Sequence, residues 1–78
     1  MNTKQLFGIE VLDVNAKLIG KVIDIEFDKR QGVIEHLIVK AGLVKHYEIS
    51  FDTIIAIGEK IILKVDEDKL KRKNVVLM

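Results

Sequence analysis

The chain has 78 residues, enough for one small domain and too few for two independent cores. Twenty-nine of them are Ile, Leu or Val, which excludes intrinsic disorder, and the absence of Cys excludes a disulfide scaffold, a thiolate metal site and a cysteine nucleophile. Thirteen Lys and Arg face twelve Asp and Glu, and a net charge of +1 argues against a dedicated nucleic-acid binder.

Taken in chain order, the residues predict short strands broken by turns. Residues 8–13 form the first, and Asp13, Val14, Asn15, Ala16 and Lys17 turn the chain. Residues 18–28 form a long second strand. Ile23, Ile25 and Phe27 alternate there with Asp24, Glu26 and Asp28, the mark of a half-buried strand. Val22 falls on the opposite face unless a bulge intervenes. A turn at Gly32 leads to a third strand over residues 33–40. Val33, Leu37 and Val39 share one face of it, and Ile34, His36 and Ile38 the other, so both faces are partly apolar. Residues 45–49 make a fourth strand. Residues 53–57 and 61–65 make a hairpin about Gly58. These six strands predict an all-β fold, a small closed antiparallel barrel, because so short a chain leaves open sheet edges hard to protect.

From Asp66 the pattern changes. Asp66, Glu67 and Asp68 precede Lys69, Lys71, Arg72 and Lys73, an order that suits a short helix and its dipole, with Asp66 as N-cap. Val75, Val76, Leu77 and Met78 are too apolar for a free tail and are expected to dock on the chain's own barrel or on a partner. The domain division that follows is a barrel over residues 1–65 and an extension over residues 66–78. No stretch near the start has signal-peptide character and no apolar run approaches ~20 residues, so a cytoplasmic protein without membrane insertion is expected.

The chemistry-bearing residues are few. Ser50 is the sole serine, in no nucleophile elbow, and reads as a turn residue; no catalytic residue and no cofactor is predicted. His36 and His46 stand ten residues apart, without zinc-finger spacing, and no metal site is predicted. Asp24 is expected to accept backbone N–H groups rather than to act in catalysis. The five glycines form no phosphate loop. RNA contact, the weaker alternative, would rest on Lys69, Lys71, Arg72 and Lys73.

Several runs resemble the PRC-barrel family: Phe7-Gly8-Ile9-Glu10-Val11, Ile19-Gly20-Lys21-Val22-Ile23-Asp24-Ile25, Gly32-Val33-Ile34-Glu35-His36-Leu37-Ile38-Val39 and Tyr47-Glu48-Ile49-Ser50-Phe51-Asp52-Thr53-Ile54. The Gly-Lys-Val-x-Asp run and the later Phe-x-x-Ile step are the most specific parts, over roughly residues 6–65. Ser50 departs from the family pattern, which usually has Pro there. The resemblance implies a barrel used as an interaction module, without family-wide catalytic residues. Relatives include a domain of the photosynthetic reaction-centre H subunit and the C-terminal domain of the ribosome maturation factor. Short stand-alone copies are typical of archaea, some resembling cell-division adaptors, and the Ile, Lys and Glu usage is compatible with a thermophile. Gly8, Gly20, Asp24 and Gly32 would shape the barrel, with Gly58 in the last hairpin. A non-enzymatic, self-associating adaptor, a homodimer joined through Ile34, Ile38 and residues 75–78, is the function expected; an RNA-processing or ribosome-associated factor is the alternative.

Overall fold

A computed structural model describes the backbone of residues 2–73 and 75–77, and the side chains through Leu70 except that of Thr3. The predicted strands appear as β1 (Glu10–Leu12), β2 (Leu18–Asp28), β3 (Val33–Ala41), β4 (Lys45–Ser50), β5 (Ile54–Ile57) and β6 (Lys60–Leu63). A helix, α1 (Glu67–Lys73), and a short strand, β7 (Val75–Leu77), follow. Asp66 caps α1 by accepting the Lys69 N–H at 2.9 Å, as the acid-first pattern predicts.

The seven strands form one sheet in the order β5-β6-β1-β2-β3-β4-β7. This mostly β sheet cannot lie flat. β4 and β5 stand five strand spacings apart in the ladder, about 24 Å if flat. A single 3-10 turn, Phe51–Thr53, joins them. From Ser50 to Ile54 the chain spans at most about 14 Å. The sheet is therefore rolled, and its inner face encloses one core: Val11, Val22, Leu37, Val39, Tyr47, Ile49, Ile61 and Leu63, with Leu6, Ile19 and Leu70. Among the described residues no hydrogen-bonded ladder joins β5 to β4 or β7.

Three features depart from the expected pattern. β1 pairs with β6 in parallel, so the sheet is not wholly antiparallel. The rolled meander brings the last hairpin back beside the first strand, in the same direction. Second, bulges reset the side-chain parity. Val22 pairs with Val39 and Asp24 with Ile38, leaving Ile23 as the extra residue. Val22 and Ile25 consequently share the core, while Ile23 is exposed. Phe27 is exposed too, towards the β2–β3 hairpin end, so of the expected stripe only Ile25 packs inward. Third, Glu26 pairs with His36 and Phe27 with Ile34, which leaves Glu35 as an extra residue on β3. Ile34, expected outside with Ile38, is turned by that bulge onto the core.

β7 pairs antiparallel with β4, Tyr47 opposite Val75 and Lys45 opposite Leu77, so this part of the extension docks on its own chain. Met78 lies outside the described residues. No helix among them is long and apolar enough to cross a membrane.

Candidate functional site

Among the described residues, Asp13, 2 % exposed at the end of the first strand, accepts three backbone N–H groups. Its Oδ1 accepts the N–H groups of Asn15 at 2.8 Å and Lys17 at 2.9 Å, an Asx-type turn. Its Oδ2 accepts the N–H of Glu67 at 3.1 Å, the first residue of α1. Burial pushes the carboxyl up, and the three N–H groups with the Lys17 ammonium outweigh it, so Asp13 is held below the ordinary carboxylate range. The Lys17 ammonium meets the Glu67 carboxylate at 2.8 Å, and that bond and charge raise the lysine. The open pocket bounded by Asp13, Asn15, Lys17, Asp66, Glu67 and Asp68 is this junction, and its chemistry is that of a clasp between the first turn and the extension. Turn chemistry made Asp13 legible as a turn residue. Its bond to residue 67 had no local signal.

The outer face of β2, β3 and β4 carries a second polar cluster. His36 lies directly across from Glu26 on β2 and from Ser50 on β4, with Glu48 one diagonal step away. The imidazole Nδ1 stands 3.4 Å from Glu26 Oε1, and Nε2 3.6 Å from Glu48 Oε1. The Ser50 hydroxyl donates to Asp52 Oδ1 at 2.6 Å and so points its proton away from the imidazole. His46 pairs with Lys40, four positions along β3 from His36, roughly 13 Å at strand rise. The two histidines share no site.

The remaining sequence-derived residues scatter over the fold. Gly20 sits where a Cβ would collide with the Lys40 carbonyl oxygen and stand 3.0 Å from Val39 Cγ1. Gly32 turns the β2–β3 hairpin at φ 69° and Gly8 has φ 83°, both in the left-handed region. Gly58 has open space around it. Asp24 is exposed, beside the Ile23 bulge, and its carboxylate accepts the Ile25 N–H at 2.8 Å. Ile38 is half-buried between Asp24 and Glu48 on the outer face. Lys69 is exposed on α1; the side chains of Lys71, Arg72, Lys73, Val75, Val76, Leu77 and Met78 lie outside the described residues. On Glu10 the hydrogen bond and charge of the Lys60 ammonium hold the carboxyl below its usual range.

Sequence reasoning missed the most exposed large apolar side chains among the described residues. Leu43 is 91 % exposed and Val44 65 %, both in the turn between β3 and β4. Lys40 pairs with Lys21, so this turn projects at the end of the sheet where β2 begins, and Leu18 is exposed there as well. β7 also finishes at this end, its Leu77 opposite Lys45. Scattered exposed aliphatics are ordinary; Leu18, Leu43 and Val44 lie at the same end of the sheet.

Compared with known families, residues 1–70 match the PRC-barrel domain model. No curated protein matches the chain.

Proposed function

We propose, from the premise that this chain belongs to the PRC-barrel domain family, that it works as a non-enzymatic protein–protein interaction module. Its sheet, rolled by the short β4–β5 turn, is taken as a barrel whose last seam is made by side chains. The module self-associates as a homodimer, and the apolar end formed by Leu18, Leu43 and Val44 is the surface that carries this reading. A second copy suits that surface because the chain is nearly neutral and does not repel itself. An adaptor role in archaeal cell division is the setting that the family resemblance favours.

Sedimentation at micromolar concentration tests the dimer. A Leu43→Ser/Val44→Ser variant is expected to be monomeric yet folded, since neither residue belongs to the core, with a melting temperature lowered only by the lost association and independent of protein concentration. A monomeric wild type overturns the reading. The alternative, an RNA-associated factor, draws on four cations within seven-residue α1. Titration with RNA decides it: salt-sensitive binding supports that alternative, and no binding at low salt ends it.

A further inference from the structure

We propose that Glu26, His36 and Glu48 form a binding site for a divalent transition-metal ion on the outer face of β2, β3 and β4. The three side chains come from three adjacent strands, and one ligand atom from each lies within 4.8 Å of the others. Strand pairing fixes this placement, with His36 opposite Glu26 and diagonal to Glu48. The gaps of 3.4 and 3.6 Å between imidazole and carboxylates are longer than the ~2.7–2.9 Å of a charge-assisted hydrogen bond. Three ligands around a zinc-like ion at ~2.0–2.2 Å stand roughly 3.4 Å apart. Nδ1 faces Glu26 and Nε2 faces Glu48, so an ion held by one ring nitrogen and its facing carboxylate draws the other carboxylate across from within the 4.8 Å spread.

Charge favours the same occupant. Two carboxylates and a neutral imidazole sum to two negative charges, and Asp24 adds a third on the same face. Among the described residues neither Glu26 nor Glu48 pairs with a lysine or arginine. One nitrogen and two oxygens suit Zn, Mn, Fe, Co or Ni; a site for Ca or Mg would be all oxygen. Three protein ligands leave room for water on the ion. The site lies about 16 Å along β3 from Ala41, where the apolar turn begins, so ion binding and self-association are separate properties.

Zinc titration of the metal-free full chain, followed by calorimetry and thermal melting, tests the site. One ion per chain and a raised melting temperature are expected. His36→Gln, and separately Glu26→Gln/Glu48→Gln, should weaken binding by about tenfold or more, while His46→Gln leaves it unchanged. The double amide variant alters only surface carboxylates and keeps the test decisive should His36→Gln fail to fold. Absence of saturable binding below millimolar zinc overturns the proposal. So does binding that survives the double amide variant, or that follows His46.

Discussion

Replacing Asp13 by Ala removes the acceptor of three backbone N–H groups from a buried position. A hydrogen bond to a charged group contributes roughly 1.5–3 kcal/mol net. Asn15 and Lys17 are exposed, so water replaces much of what their N–H groups lose. Glu67 loses both its N–H acceptor and the anion at the start of α1. The sum is about 3–4 kcal/mol, a large part of the ~4–12 kcal/mol expected for a chain of this size. At about 6 °C per kcal/mol the melting temperature should fall by ~20 °C. Asp13→Asn keeps one oxygen for the turn but presents an amide where Glu67 N–H needs an acceptor, and should fall by about half as much. Circular dichroism melts at pH 7 measure both. The pH dependence adds a second reading. Because Asp13 is depressed in the folded state, its stabilisation is present above the unfolded value of about 3.9 and disappears as pH falls below that through the folded value. The difference between wild type and Asp13→Asn should therefore shrink in acid. A melting temperature for Asp13→Ala within about 5 °C of wild type at pH 7, or a difference that grows in acid, refutes the clasp.

Gly20→Ala should cost roughly 3 kcal/mol or more, since β3 must retreat at Lys40 and ladder bonds break, whereas Gly58→Ala, in open space, should change stability by under about 1 kcal/mol; urea midpoints separate the two. Ala16 holds φ 65°, so Ala16→Gly should stabilise by roughly 0.5–1 kcal/mol, read as a raised melting temperature. Leu70 on α1 is fully buried, and Leu70→Ala should cost about 2–4 kcal/mol, with hydrogen exchange rising first in residues 66–73.

The strands were legible because β-branched runs and turn residues are local signals, and β2 appears over the span its alternation suggested. The facing of side chains was not. Val22 and Ile25 share the core, and Ile34 leaves the company of Ile38, only because the bulges at Ile23 and Glu35 shift parity, and a bulge is set by the partner strand. The parallel β1–β6 pair likewise depends on how the sheet rolls. At the polar cluster, His36 is visible in the sequence as a residue type, with His46 the other histidine. Register separates those two and brings His36 to Glu26 and Glu48, ten and twelve residues away in the chain. Asp13 announced its turn through Asn15 and Lys17, but its bond to Glu67 spans 54 residues.

The tail strand has a practical corollary for trimming this protein. β7 occupies the margin of β4, opposite Lys45, His46 and Tyr47. A chain cut at residue 70, where the family match stops, would leave those peptide groups bare and available to any extended segment nearby. Such a truncation swaps an internal cover for a sticky seam, and strand addition by another molecule, a clumping hazard in concentrated stock, becomes open to it.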